Sequence, residues 1–230
     1  MSLPAVIMAA GLGARLRPLT DEVPKPALPI DGRPVVATVL RELGAAGCPL
    51  AVVVTGHLAE QVERLVGDGA AFGVAVRTVR QPDPDGSADA VRRSGLEPPY
   101  LAIAADTLFG RDDVRRFVEA FLAATQAAGA IGVRRHPAKE AIAIGAAGQV
   151  TRVVDRGGAG SLTGAPLWAL GAPVHERLCL DRPPYELGNA FQRAIDEGNE
   201  IRAVEIGPTR DLTRPLDLLT ENFPYLTAIR

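Results

Sequence analysis

The chain has 230 residues, 47% of them hydrophobic and 23% charged, with a formal net charge of −2; that is enough apolar material for one substantial core. Disorder, collagen and a small disulfide scaffold are excluded on composition. No uncharged apolar run approaches the ~20 residues of a membrane helix, and the near-neutral balance leaves no basic stripe to track a nucleic-acid backbone, so neither a membrane nor nucleic acid is expected as a partner.

In chain order, Ala5 to Ala9 is a short apolar run ending in a glycine-rich turn. The stretch Leu3 to Leu12 around it lacks the positive leader and the length of a signal peptide, and reads as the first buried strand of a cytoplasmic protein. Val35 to Leu43 carries apolar residues at helical spacing after Pro34, and Leu50 to Thr55 is a second buried strand. His57 to Val66 reads as helix, Val74 to Val79 as strand, Ser87 to Ser94 as a short helix with Ser87 at its N-cap, and Tyr100 to Ala105 as strand. A long helix is expected from about Asp112 to Ala128, its two leading aspartates suiting the helix dipole. Four repeats of strand then helix, with strands apolar throughout, predict a parallel sheet covered on both faces and ligands at the strands' carboxyl ends.

After residue 130 the rhythm changes. Ala130 to Arg134, Ala141 to Ile144, Val150 to Val154 and Ala165 to Ala169 are strand-like with little helix between them, which predicts an antiparallel portion. Helix returns at Tyr185 to Glu197, strand at Ile201 to Glu205, and a helical segment closes the chain from Pro215 to Ile229. No linker, repeat or low-complexity tract interrupts residues 1–230, so a single domain is expected, of α/β class: a Rossmann-like three-layer fold with a mostly parallel central sheet.

Of the 25 basic residues, 23 are arginines and only Lys25 and Lys139 are lysines. A lysine retained against that bias is a candidate for work a planar guanidinium cannot do. Lys25 lies in Pro24-Lys25-Pro26, downstream of Gly11, Gly13 and Arg15. The glycines let the backbone approach an anion and aim N–H groups at it, and Arg15 and Lys25 can converge on a polyphosphate from the sheet's carboxyl edge. Leu16 breaks a GxGxxG pattern and no GKS or GKT follows, which disfavours a dehydrogenase and a P-loop enzyme. Cys48 and Cys179 lie far apart and read as filler thiols, His57, His136 and His175 show no metal-ligand spacing and read as surface or loop residues, and Trp168 reads as core with a sugar-stacking role as the alternative.

The run Gly11 to Pro29 resembles the GxG(T/S)R, xPLT and PKPxLP elements of the sugar-1-phosphate nucleotidylyltransferases, or NDP-sugar pyrophosphorylases. Further matches follow in order: Gln81 to Ala90 resembles a Q-x4-G-(T/S)-A-x-A element, Asp106 a metal-binding aspartate after a strand, and Arg210 to Leu219 a second aspartate followed by T-x-P-x-D-L-L. The chain looks like a short form without the C-terminal β-helix of larger members.

The resemblance implies attack of a sugar-1-phosphate oxygen on the α-phosphorus of a nucleoside triphosphate, with Mg2+ as cofactor. Ala10, Gly11 and Gly13 would be substrate-binding positions on the triphosphate, Arg15 would hold the departing pyrophosphate, Lys25 would face the α-phosphate, and Asp106 with Asp211 would hold Mg2+. Gln81, Gly86 and Ser87 would receive the base. Asp155 and Arg156 stand where many members carry Glu and Lys of an E-K-P triplet that contacts the sugar phosphate, Ala14 replaces a hydroxyl residue, and Thr209-Arg210 replaces a tryptophan-containing step before Asp211. These departures keep two other readings open: a non-catalytic regulator that binds nucleotide or NDP-sugar, and a nucleotidyltransferase with a non-sugar acceptor. The base, the sugar and the choice between monomer and small homo-oligomer are left open.

Overall fold

The computed structural model describes residues 2–135, 140–156, 162–178 and 183–223, with no account of the side chains of residues 140, 141, 155 and 156. The strands are β1 (Ala5–Ala9), β2 (Leu50–Thr55), β3 (Ala75–Arg80), β4 (Tyr100–Ala104), β5 (Gly129–Arg135), β6 (Glu140–Ile144), β7 (Val150–Arg156), β8 (Leu162–Leu170) and β9 (Ile201–Glu205). The helices are α1 (Val35–Ala45), α2 (Ala59–Val66), α3 (Ser87–Arg93), α4 (Asp113–Ala123), α5 (Ala172–His175), α6 (Leu187–Asp196) and α7 (Pro215–Asn222).

Seven strands form one sheet in the order β9-β5-β8-β4-β1-β2-β3. β1 is parallel to β2 and β4, β2 to β3, and β9 to β5, while β8 runs antiparallel between β4 and β5. The expected antiparallel portion is thus a strand inside the main sheet, together with a separate ribbon of β6 and β7. Two short pairs, Pro29–Ile30 with Arg33–Pro34 and Thr107–Leu108 with Arg210–Asp211, lie outside it.

Side chains alternate between the sheet's faces, and each face supports its own core. Ile7, Val53, Leu101 and Ile103 meet α1 through Val39, Leu40 and Leu43 and α4 through Val114 and Phe117. Val6, Val52, Val54, Tyr100 and Ile131 meet α3 through Val91 and α6 through Leu187, Ala190 and Phe191. Each of these larger apolar side chains contributes roughly 1.5–3 kcal/mol through burial. The chain builds β2 and β3 on one side of β1 and then crosses to β4 on the other, so a crevice opens at the carboxyl ends of β1 and β4.

Several expected boundaries move. The helix expected to Ala128 ends at Ala123, because Ala124 to Ala127 turn the chain back and the Ala128 N–H bonds Glu200 O at 2.8 Å beside the sheet; tertiary pairing overrides the helix propensity of the alanines. The expected His57 to Val66 helix starts at Ala59, since Leu58 has a φ of 49°. The strand expected at Val74 to Val79 is Ala75–Arg80, the sheet's edge, with Arg80 reaching solvent. Ser87 is the first residue of α3 rather than its cap, which Gly86 supplies. The Ser87 hydroxyl accepts instead from the Leu187 N–H at 2.7 Å, at the start of α6. α7 ends at Asn222, and residues 224–229 of the expected segment lie outside the described residues.

His175 is no mere surface residue: its Nδ1 lies 2.8 Å from the hydroxyl of the fully buried Tyr100. His57 Nε2 bonds Thr20 O at 2.6 Å. Cys48 is buried, donates to Leu50 O at 3.2 Å, and has its thiol pushed up to about 11 by burial. His136, Lys139 and Cys179 lie outside the described residues. Among the described residues no helix is long and apolar enough to cross a membrane.

Candidate active site

β1 delivers the glycine loop to the crevice. Gly13 adopts a φ of +63°, and a Cβ there would lie 2.8 Å from Thr20 Cγ2 and 3.2 Å from Lys25 Cβ, so glycine is required on both backbone and packing grounds. The Thr20 hydroxyl donates to Gly13 O at 3.0 Å and the His57 imidazole holds Thr20 O. The loop is therefore pinned from beneath while Gly11, Leu12 and Arg15 stay exposed. Ala10 is buried, and its carbonyl accepts the His57 N–H at 3.3 Å.

A cavity of about 460 Å3 lies over this loop, lined by Gly11, Gly13, Arg15, Lys25, Asp106 and Thr213 among others. Lys25, from the proline-flanked turn, donates to Asp106 Oδ2 at 2.5 Å, and Thr107 donates to Asp106 Oδ1 at 3.1 Å. Four of the expected residues, Gly11, Gly13, Arg15 and Lys25, thus meet Asp106 around one space. Ala10 does not line it.

Asp211 is carried to this neighbourhood by backbone pairing: it stands opposite Thr107, the residue after Asp106. Its Oδ1 accepts from Thr213 Oγ1 at 2.9 Å, and its Oδ2 lies 3.9 Å from Arg134 Nη2. Arg134 Nε and Thr209 Oγ1 are buried without a hydrogen-bond partner. Arg210 anchors the segment by a bidentate bond to Asp31, at 2.5 and 3.0 Å, and by a 2.6 Å bond to Glu221. The guanidinium beside Asp31 holds that carboxyl below its usual range. Upstream, the buried Asp113 accepts the Gly207 N–H at 3.1 Å and an Arg116 bond.

A second cavity of about 380 Å3 adjoins the first through Met8, Gly11 and Pro84. Gln81, Gly86, Ser87, Trp168, Glu186 and Leu187 are among its walls. Its rim is a clasp between two distant segments. Ala88 N donates to Tyr185 O and Tyr185 N to Asp85 O, each at 2.7 Å, and Ser87 Oγ donates to Glu186 at 2.8 Å. A Cβ on Gly86 would lie 2.6 Å from the Tyr185 backbone, so only glycine allows the clasp to close. Trp168 packs against the core and also faces this space. Asp155 and Arg156 pair with Ala141 and Glu140 in the β6–β7 ribbon, and their side chains lie outside what is described.

Residues 4–155 match the profile of the family described as Nucleotidyl transferase. The chain belongs to the nucleotidyl transferase family. N-acetylmuramate alpha-1-phosphate uridylyltransferase from Neisseria meningitidis is 37% identical over 120 residues, covering 49% of this chain and 51% of the relative. Glucose-1-phosphate thymidylyltransferase from Streptomyces griseus is 26% identical over 234 residues, covering 95% of this chain and 64% of the relative. The chain thus spans from about half to just under two thirds of these relatives' lengths. A UDP-glucose pyrophosphorylase structure from Acinetobacter baumannii superposes with a TM-score of 0.81 at 21% identity, covering 98% of this chain and 93% of the other, so this chain shares its fold.

Sequence reading missed Thr213, Glu186, Asp113 and Asp89. Three of them carried a local signal without a site role being read from it: Thr213 opens the T-x-P-x-D-L-L element, Asp113 leads a predicted helix, and Asp89 has the i,i+4 spacing to Arg93 with which it pairs at 2.6 Å. The contacts of Glu186 and Asp113 span 99 and 94 residues, which no local pattern shows.

Proposed function

We propose that the protein transfers a nucleotidyl group from a nucleoside triphosphate to a sugar-1-phosphate, releasing pyrophosphate and forming an NDP-sugar. The observation that carries this reading is the Lys25–Asp106 pair, which sets a cation and a carboxylate at 2.5 Å on the wall of a cavity floored by the glycine loop. Sugar-1-phosphate nucleotidyl transfer in the names of both relatives supports it.

An acceptor phosphate oxygen attacks the α-phosphorus, and the bond from that phosphorus to the bridging oxygen of the leaving pyrophosphate breaks. The protein's part is positioning and charge neutralisation. Backbone N–H groups of the Gly11 to Gly13 loop face the triphosphate. The Lys25 ammonium meets charge building on the α-phosphate, and Arg15 receives the pyrophosphate through its planar fork. Gln81, Gly86 and Ser87 seat the base in the adjoining cavity.

Asp106 and Asp211 suit a hard divalent cation such as Mg2+: the Thr107–Asp211 pairing places the two residues close together, and their donors are carboxylate oxygens. Among the described residues no group of three or more His, Cys, Asp or Glu side chains assembles, so these two would leave the remaining positions to water and phosphate oxygens. When bound, the ion supplies Lewis-acid neutralisation of phosphate charge.

The test is pyrophosphate release from the purified protein with Mg2+, each nucleoside triphosphate and a panel of sugar-1-phosphates. Turnover with one pair establishes the reaction and both substrates. Tight nucleotide binding with no release anywhere on the panel would overturn it in favour of a regulator or a different acceptor.

A further inference from the structure

β5 is buried from Gly129 to Val133 and then sets a charge, Arg134, at its carboxyl end. Backbone pairing fixes the residue from both sides. β8 places Thr163 opposite it, with the Thr163 hydroxyl donating to Arg134 O at 3.4 Å, and the Ile206 N–H donates to Val133 O at 2.8 Å. The Arg134 guanidinium is 15% exposed and faces Asp211, Nη2 lying 3.9 Å from Oδ2. That is an ion pair beyond hydrogen-bond distance. Among the described residues Arg134 Nε has no partner, and neither has the buried hydroxyl of Thr209, two residues before Asp211. Charge alone therefore draws Arg134 to Asp211, with no hydrogen bond to hold it there. Each of the two carboxylates thus has its own basic residue from the chain, Lys25 for Asp106 and Arg134 for Asp211, and the four side chains together are neutral.

We propose that Arg134 is a positioning residue that keeps the cation's place at Asp211: its guanidinium offsets the carboxylate and opposes a divalent cation that arrives alone. A cation arriving with phosphate oxygens is favoured over a bare one, because those oxygens supply the negative charge that Arg134 has taken up. The loose pairing suits such an exchange. A guanidinium 3.9 Å away gives up Asp211 without breaking a hydrogen bond, and its open Nε hydrogen is available to a new acceptor oxygen. Lys25, hydrogen-bonded to Asp106 on the wall of the glycine-loop cavity, has a different task. This inference rests on the reading of Asp106 and Asp211 as the cation's ligands, and it deepens that reading from which residues hold the ion to what keeps the ion from binding by itself.

Calorimetric titration of the nucleotide-free protein with Mn2+ as the probe tests this apart from turnover. Arg134→Gln should bind Mn2+ at least ~10-fold tighter than the wild type, the scale of one unit charge removed from beside a divalent ion in a partly screened site. Arg134→Lys keeps the charge and should stay within about threefold of the wild type. Adding Asp211→Asn to Arg134→Gln should abolish the gain, since the gain belongs to that carboxylate. A residue that merely holds the end of β5 in place would, on removal, loosen Mn2+ binding or leave it unchanged; only a competing charge makes removal tighten it. If Arg134→Gln does not fold, Arg134→Met, of similar length and also uncharged, carries the same expectation. Loss of the fold in both, with Arg134→Lys folded, would assign the charge to stability and overturn the inference. So would Mn2+ binding no tighter in the charge-free variants, or a gain that survives Asp211→Asn. Mn2+ binding to neither the wild type nor the variants overturns it as well, while the transfer is judged separately by pyrophosphate release; tightening without any release leaves the inference standing and rejects only the transfer.

Discussion

Lys25 and Asp106, 81 positions apart, meet at 2.5 Å where the proline-flanked turn crosses the end of β4. Their side chains are 13% and 34% exposed, so the pair contributes on the order of 1 kcal/mol or less to stability; its value lies in fixing where positive charge stands. Lys25→Ala should lower pyrophosphate release by roughly 100-fold or more with little change in thermal midpoint. Lys25→Arg should not restore the rate, because a planar fork cannot replace a compact ammonium. Steady-state rates of both variants, beside a melting curve, check this, and an unimpaired Lys25→Ala enzyme removes the residue from the mechanism.

Gly13→Ala should destabilise the fold by about 1–3 kcal/mol, from the left-handed backbone and the close approach to Thr20. Thr20→Ser removes the Cγ2 methyl that a new Cβ would strike at 2.8 Å but keeps the hydroxyl that donates to Gly13 O. The double variant should therefore be more stable than the sum of the two single changes implies. Urea denaturation of the four proteins gives the coupling directly.

Asp113 has no exposed surface, and removing it leaves the Gly207 N–H without its acceptor and takes from Arg116 its carboxylate partner. Asp113→Ala should cost roughly 3 kcal/mol. Because Gly207 leads into the segment that carries Asp211, turnover should fall further than the lost stability accounts for. Denaturant titration together with rates at a temperature where the variant is fully folded separates the two effects.

The Arg210–Asp31 bond gives a pH dependence with a definite sign. Hydrogen bonding to Arg210 depresses the Asp31 pKa in the folded chain, so the bond stabilises the fold above the unfolded carboxyl's range and its contribution is lost as pH falls through the lower folded value. Asp31→Asn should remove that part of the acid-side decline, and added salt should shrink the difference between the two proteins because Asp31 is largely exposed. Melting curves from pH 6 down to pH 2.5 at two salt concentrations measure it; parallel curves would show that Arg210 draws its anchoring from Glu221 alone.

Much of this protein is local in origin and could be read directly from the chain. Apolar runs of strand length, the positive-φ demand on the glycine loop and the prolines around Lys25 depend on near neighbours, so the α/β class and the residues around the glycine-loop cavity were legible together. Edges were less so: Ala124 to Ala127 have helix propensity, yet they turn because Ala128 pairs beside Glu200. Ser87, too, has the chemistry of an N-cap, but the helix start it serves is α6, a hundred positions away.

The sequence by itself determined which residue types were available, the alternation of strand and helix, and the order of the motifs from Gly11 to Asp211, because periodicity and turn chemistry act over a few residues. Tertiary structure alone decided the insertion of β8 antiparallel between β4 and β5, the approach of Asp211 to Asp106 through the Thr107 pairing, the clasp of Tyr185 on Gly86, and the bond from Gln81 to Asp89. Each of those depends on which distant backbone or side chain arrives to satisfy a hydrogen bond, and that is settled only when the two faces of the sheet are buried.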